Sequence, residues 1–238
     1  MRSLTLALIL AGGYGKRLRP LTDDRPKPLV EVTGKPIILW QIEWLKKHGI
    51  NDIVVLAGYR KEKIIEALGS GSKYGVSVTY VVEDEPLGTG GAVRNARLAF
   101  ASREPFLVLN GDIITNIDPT KLLKALEASD AIGTIALVQL RSPYGIVEVG
   151  EGGKVLSFRE KPILEGYWIN AGVYALKPEV EEYLPQKGDL EAHTFPLLAK
   201  EQKLLAITFD LNSHYWRSID TYKDLEEVSA DIERRLVF

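Results

Sequence analysis

The sequence predicts an α/β fold built on a mostly parallel sheet, and three observations carry that expectation. Apolar runs of strand length alternate with amphipathic helical stretches through the first half. The first run, LTLALIL, is apolar throughout, as suits a strand covered on both faces. Glycine-rich loops follow the first and third runs, at the strand ends where open α/β sheets bind ligands.

Each element follows from its pattern. LTLALIL is the first strand. Between Pro36 and Lys47, Ile38, Ile42 and Leu45 stand at i, i+4 and i+7, and Gly49 supplies the stop, which predicts a helix. DIVVLAG (Asp52 to Gly58) is a second strand, RKEKIIEALG a short helix, and SVTYVVE (Ser77 to Glu83) a third strand. The loop EDEPLGTGG leads into a helical stretch ending near Phe100, and PFLVLNGD (Pro105 to Asp112) is a fourth strand. Elements of these lengths imply right-handed βαβ units. The second half is less regular. AIGTIALVQL and YWINAGVYAL read as strands, with a helix across His193 to Gln202. LLAITFD is a further strand before a last helix from about Tyr222 to Arg235. No internal repeat, low-complexity stretch or linker interrupts the chain, so one domain over residues 1–238 is expected.

Composition narrows the function. The 238 residues carry a net charge of -2, with 45% apolar and 26% charged residues. That balance argues against nucleic acid and against a membrane surface as partners. No apolar run approaches the ~18 residues of a bilayer span. The start, MRSLTLALILAGG, reads as a buried strand running into a basic loop rather than as a signal peptide. With no cysteine, disulfides, thiolate metal sites and cysteine nucleophiles are excluded. A cytoplasmic protein is expected.

Against that near-neutral background, the stretch from Leu8 to Val30 places Lys16, Arg17, Arg19, Arg25 and Lys27 beside Gly12, Gly13 and Gly15. Backbone N–H groups freed by glycines, joined by basic side chains, suit phosphate oxygens. The stretch is not a P-loop, because Gly15-Lys16 is followed by Arg17. It also fails the dinucleotide pattern, since Leu18 stands where a small residue is needed. A tight turn with solvated charges is the plain alternative, and it is the favoured reading of Arg19 and Arg25. EPLGTGG reads either as a turn capped by Thr89 or as a close approach to a ligand. Asp112, ending a strand, is a turn residue or a ligand for a hard cation. Asp220, in WRSIDT, is a helix N-cap or a second such ligand. Glu160-Lys161 by itself is an ordinary surface pair. His48, His193 and His214 have no matching role and read as structural or surface residues.

LAGGYGKRLRPLT followed by KPLVEVTGKPI resembles the signature of the sugar-1-phosphate nucleotidylyltransferases. EPLGTGG, NGDI, YGIVE, EKP, INAGVY and WRSID follow in order, so the resemblance covers nearly the whole chain. It implies a Rossmann-like three-layer α/β/α sandwich with a mostly parallel mixed sheet, the nucleotide-diphospho-sugar transferase fold. The first half would bind nucleotide and the second half sugar phosphate. It implies a reaction that joins a nucleoside triphosphate to a sugar 1-phosphate and releases pyrophosphate. Ala11, Gly12, Gly13, Gly15, Glu85, Gly88 and Thr89 would contact the nucleotide. Arg17 and Lys27 would be catalytic. Asp112 and Asp220 would hold one Mg²⁺. Tyr144, Gly145, Glu160, Lys161, Asn170 and Gly172 would contact the sugar phosphate. The EPLGTGG form is similar to the guanylyl-transferring branch, favouring GTP and mannose 1-phosphate, with Glu83 and Glu85 as candidate acceptors for the base. UTP or dTTP with another sugar 1-phosphate stays open, as does a silent regulatory subunit that binds nucleotide sugars. A nicotinamide-dependent dehydrogenase is disfavoured by the failed dinucleotide pattern. The left-handed β-helix or acetyltransferase domain of some relatives is not expected here, which leaves the oligomeric state open, a homo-oligomer included.

Overall fold

The computed structural model describes residues 5–101 and 104–234. In chain order its strands are β1 (Leu6–Ala11), β2 (Glu31–Val32), β3 (Lys35–Pro36), β4 (Asp52–Ala57), β5 (Ser77–Val82), β6 (Phe106–Asn110), β7 (Ile113–Thr115), β8 (Gly133–Arg141), β9 (Ile146–Val149), β10 (Val155–Arg159), β11 (Ile163–Leu176), β12 (Leu204–Phe209) and β13 (Trp216–Ser218). The helices are α1 (Ile37–Lys47), α2 (Lys61–Leu68), α3 (Gly88–Asn95), α4 (Arg97–Phe100), α5 (Thr120–Glu127), α6 (Phe195–Lys200) and α7 (Tyr222–Glu233).

Seven strands form one sheet in the order β12-β8-β11-β6-β1-β4-β5. β1 pairs in parallel with β4 and β6, β4 with β5, and β12 with β8. β11 alone runs against its neighbours β6 and β8. From β1 the chain winds outward through β4 to β5, then returns to place β6 on the other side of β1. That reversal opens a crevice beyond the carboxyl ends of β1 and β6, the usual ligand position in such sheets.

Alternate strand residues feed two cores. Ala7, Ile9, Ile53, Val55, Leu107 and Leu109 meet α1, α2 and α5 through Ile38, Ile42, Ile64, Leu68, Leu122 and Leu126. Leu6, Leu8, Val54, Leu56, Phe106 and Val108 meet α3, α4 and α6 through Val93, Phe100, Phe195 and Leu198. Helices on both faces make the three layers the resemblance implies. Each fully buried Leu, Ile or Phe contributes roughly 1.5–3 kcal/mol of transfer free energy, which fixes the strand ends that carry the site. A third core joins Leu18, Val30, Val32, Ile37, Ile114, Ile219 and Val228, so the basic loop and α7 are packed together.

The departures from the sequence expectations are local. The expected helix ending near Phe100 is broken between α3 and α4. The helix expected across His193 to Gln202 is a wider turn over Leu190–Thr194 followed by α6. The strand expected from Tyr167 starts at Ile163. The last helix ends at Glu233; its expected end, Arg235, lies outside the described residues. Among the described residues, no helix is long and apolar enough to cross a membrane.

Candidate active site

Two short strands assemble the centre of the site. β7 follows Asp112 immediately, and β13 ends two residues before Asp220. They pair antiparallel, Ser218 opposite Ile113, and the Ile219 N–H donates to the Asp112 carbonyl at 2.9 Å. This register brings two aspartates from distant parts of the sequence to the same end of one ribbon. Asp220 does not cap the last helix. Thr221 does, in a reciprocal box with Asp224, while the Asp220 N–H donates to Asp224 Oδ2. The Asp220 carboxylate is therefore left to face the site.

Lys27 lies between the two carboxylates. Its Nζ donates to Asp112 Oδ2 at 2.6 Å and to Asp220 Oδ1 at 2.7 Å, with the Lys27 side chain only 13% exposed. Arg17 reaches the same Asp220 oxygen at 2.8 Å from a more exposed position. Burial pushes the Asp220 carboxyl up, but the Lys27 hydrogen bond and the Lys27 and Arg17 charges outweigh it and hold it below its ordinary value. Lys27 is set by the turn Lys27–Leu29, anchored by buried Pro28. Arg17 sits in the turn Lys16–Leu18, which starts at left-handed Gly15 and is pinned by buried Leu18. Tyr59 holds this loop from outside, its hydroxyl donating to the carbonyls of Thr22 and Asp23. Arg19 and Arg25 form surface pairs with Asp23 and Asp24, in keeping with solvated positions.

The cavity beside this cluster measures about 340 Å³ and opens at the carboxyl ends of β1 and β6. Ala11, Gly12, Gly13, Gly88, Thr89, Lys27 and Asp112 line it. Gly15 and Glu85 are not among its lining residues. Glu85 lies on the exterior, paired with Lys187 at 3.2 Å. Glu83 lines the cavity instead. Its carboxylate lies against the backbone of Gly12 and Gly58, its Oε2 is buried without a hydrogen-bond partner, and burial pushes its pKa up.

The glycines of EPLGTGG make room for the chain itself. A Cβ on Gly88 or Gly90 would collide with the backbone of Gly188 or with Pro185. The first N–H groups of α3 are already used, Thr89 donating to Asp189 Oδ1 at 3.0 Å and Gly90 and Gly91 to the Gly188 carbonyl. Thr89 is not a cap; its hydroxyl lies inside the helix turn and donates to Glu191 Oε2 at 2.9 Å. Tyr14, Asn110 and Asp189 also line the cavity, although sequence reasoning gave them no role. Tyr14 is packed on Tyr59, with ring centroids 4.9 Å apart. Its position inside GGYG was the available signal.

The six residues expected on the sugar side fall into two groups. Asn170 and Gly172 lie where β11 bulges, the five residues from Asn170 to Tyr174 lying opposite only three of β8, Leu137 to Ile135. Gly172 has φ +69°, and any Cβ there would lie 2.7 Å from the Asn110 side chain, so glycine is required. The bulge thus touches the end of β6, next to Asp112. Tyr144, Gly145, Glu160 and Lys161 are instead at the base of the hairpin formed by β9 and β10. Tyr144 is 75% exposed, and Glu160 and Lys161 form a loose surface pair at 3.9 Å. None of the six, Asn170 and Gly172 included, lines the cavity itself. The histidines stand apart: His48 faces Asp118 and Trp44, His193 the Asp189 carbonyl, and His214 the Asp210 carbonyl.

Among the described residues, no cluster of three or more His, Cys, Asp or Glu side chains forms a ready metal cage. Asp112 and Asp220 are a pair of hard oxygen donors converging on one cationic group. That set fits a magnesium-like ion completed by water and phosphate oxygens.

The chain is similar to known proteins over most of its length. It is 42% identical over 224 residues to a mannose-1-phosphate guanyltransferase of Yarrowia lipolytica, covering 91% of this chain and 61% of that one. It is 41% identical to the mannose-1-phosphate guanyltransferase of Saccharomyces cerevisiae, covering 91% and 62%. The chain thus spans about three-fifths of the length of these relatives. Its fold matches a putative glucose-1-phosphate thymidylyltransferase from Bacillus anthracis with TM-score 0.76 at 24% identity, over 98% and 97% of the two chains. It also matches HddC from Yersinia pseudotuberculosis complexed with GMP-PN, with TM-score 0.73 at 28% identity, over 96% and 99%. The family described as nucleotidyl transferase matches residues 6–235, and the chain belongs to that family.

Proposed function

We propose that the chain joins GTP to mannose 1-phosphate, forming GDP-mannose and pyrophosphate. The observation that carries this reading is the convergence of Arg17, Lys27, Asp112 and Asp220 at the mouth of a cavity beyond β1 and β6. In that reaction an ionised oxygen of the sugar phosphate attacks the α-phosphorus. The bond to the bridging oxygen breaks, and pyrophosphate leaves on the opposite side. The nucleophile is already deprotonated near neutral pH, so no general base is needed. What the site must supply is alignment and neutralisation of two polyanions. Lys27, mostly buried, suits the reacting phosphate, and Arg17, exposed at the rim, suits charge growing on pyrophosphate. Asp112 and Asp220 would hold Mg²⁺, which when bound neutralises phosphate oxygens and orients the triphosphate.

The choice of base rests on Glu83 and on the guanyltransferase relatives. Guanine presents N1–H and N2–H donors. A half-buried carboxylate lining the cavity offers an acceptor to these donors, whereas a pyrimidine leaves it unpaired. The hairpin-base residues Tyr144, Gly145, Glu160 and Lys161, with Asn170 and Gly172 at the bulge, serve the sugar phosphate in this reading. The test is a grid of GTP, UTP and dTTP against mannose, glucose and amino-sugar 1-phosphates, scored by pyrophosphate release. GTP with mannose 1-phosphate gives the largest kcat/KM. A dominant dTTP product with every sugar would overturn the guanylyl assignment while leaving nucleotidyl transfer intact.

A further inference from the structure

A continuous hydrogen-bonded chain crosses from the nucleotide loop to the β11 bulge. The Thr89 hydroxyl donates to Glu191 Oε2 at 2.9 Å, and the Tyr174 hydroxyl donates to Glu191 Oε1 at 2.9 Å. Asn170 Nδ2 donates to the Tyr174 oxygen at 2.8 Å, and the Gly172 N–H donates to Asn170 Oδ1 at 2.8 Å. Asn170 and Tyr174 meet only because the bulge shortens the strand between them, since residues four apart in a regular strand are far out of contact. Neither Tyr174 nor Glu191 has a part in the reaction as derived above.

Directionality gives the chain a single sense. An ionised Glu191 can only accept, so the one Tyr174 proton points to it. The Tyr174 oxygen can then only accept, from Asn170 and also from the Asn110 side chain, so Asn170 must present Nδ2. With Nδ2 turned inward, Oδ1 faces the Gly172 N–H. A flipped amide would set oxygen against oxygen at Tyr174 and donor against donor at Gly172. The Tyr174 ring is fully buried and stacked obliquely on Phe195, so its hydroxyl has no alternative position.

We propose that Tyr174 and Glu191 are positioning residues that fix the amide orientation of Asn170 and so set which hydroxyl pattern of the sugar phosphate the bulge accepts. The inference rests on the reading of Asn170 as a sugar contact. Once locked, Asn170 has one N–H and one oxygen lone pair left to offer outward, in a fixed order. Glu191 also holds Thr89, so the same carboxylate ties the sugar bulge to the first turn of α3.

The experiment compares Glu191→Gln, Tyr174→Phe, their double variant and Asn170→Ala. For each, KM for mannose 1-phosphate and for GTP, calorimetric affinity for GDP-mannose, and Tm are measured. Gln keeps the size of Glu191 but can donate, which releases the Tyr174 proton and the amide order. Glu191→Gln and Tyr174→Phe each raise the sugar-phosphate KM about tenfold and weaken GDP-mannose similarly, while the GTP KM stays within about threefold. The double variant is no worse than the weaker single, as expected of one shared chain. A purely structural role lowers Tm and leaves the ratio of the two KM values at the wild-type level, and that result overturns the proposal. If Tyr174→Phe does not fold, Glu191→Gln decides alone. An unchanged sugar-phosphate KM in Asn170→Ala overturns the sugar-contact reading itself. A raised KM in Asn170→Ala with wild-type behaviour in Glu191→Gln overturns only the positioning role.

Discussion

The cluster around Lys27 and the hairpin of β9 and β10 are built by opposite means. Lys27 is 13% exposed and Asp112 25% exposed, and both sit on backbone held by the sheet and by the third core. At the hairpin, Tyr144 is 75% exposed, and Val149, Val155 and Phe158 are exposed by 62%, 62% and 65%. The hairpin is a separate two-stranded sheet, and such a pair is marginal without cover. The difference teaches where geometry is preset. The charges proposed to meet the phosphates are positioned by the fold, whereas four of the six residues proposed for the sugar lie at the base of an exposed two-stranded arm. Damage to the first region should therefore appear in kcat, and damage to the second in KM.

The largest expected effect is at the ribbon. Asp112→Asn lowers kcat by roughly 10²–10³, the scale of losing one electrostatic stabiliser in a reaction centre. Circular dichroism should remain native, because Asp112 is not part of any of the three apolar cores. Near-wild-type kcat at limiting Mg²⁺ would break the contrast drawn above.

Next comes the base. Glu83→Gln reduces the preference for GTP over dTTP by about ten- to a hundredfold, since it replaces one acceptor with a donor facing guanine. Competition between equal GTP and dTTP reads it directly. An unchanged product ratio would remove Glu83 from base selection.

Glu160→Gln at the hairpin base raises the mannose 1-phosphate KM by less than about tenfold and leaves kcat and Tm near wild type, as expected at an exposed position. A loss confined to kcat would show that the arm is as preset as the ribbon.

The smallest effect concerns pH. The folded carboxyl of Asp220 lies below its ordinary value, so it contributes stability above that ordinary value and loses it as pH falls through the lowered one. The Tm difference between wild type and Asp220→Asn therefore shrinks on acidification through the acid carboxylate range. A constant difference would mean that Lys27 and Arg17 do not hold that carboxylate in solution.

The sheet was legible where strands were long and apolar. LTLALIL and FLVLN show it, because a strand covered on both faces leaves a continuous apolar run. β7 and β13 have three residues each, too few for any periodicity to register, so the ribbon that joins Asp112 to Asp220 had no local signature. Those two aspartates were paired through motif resemblance alone. The reversed direction of β11 was equally silent, since strand direction depends on connections rather than on side-chain pattern. The resemblance puts Glu85 rather than Glu83 among the nucleotide contacts, because spacing within EDEPLGTGG says nothing about which carboxylate turns inward. The glycines of that loop were read as room for a ligand, while Pro185, Gly188 and Asp189, about a hundred residues away, fill much of it. Tyr174 and Glu191 could not be found without the bulge that brings Asn170 back onto Tyr174.

The position of β11 has a consequence for biosynthesis. In space it lies between β6 and β8, yet it follows both in the chain. While the ribosome is still making residues before Ile163, β5, β4, β1 and β6 can pair, and β8 has no neighbour. During that interval β6 is an open edge carrying Phe106, Leu107, Val108 and Leu109, all fully buried in the finished protein. An unpaired apolar edge of this kind recruits other strands. A pause in translation before β11 has emerged from the ribosome would prolong that exposure, whereas a pause after its emergence would not, because the missing strand is then free to close the sheet.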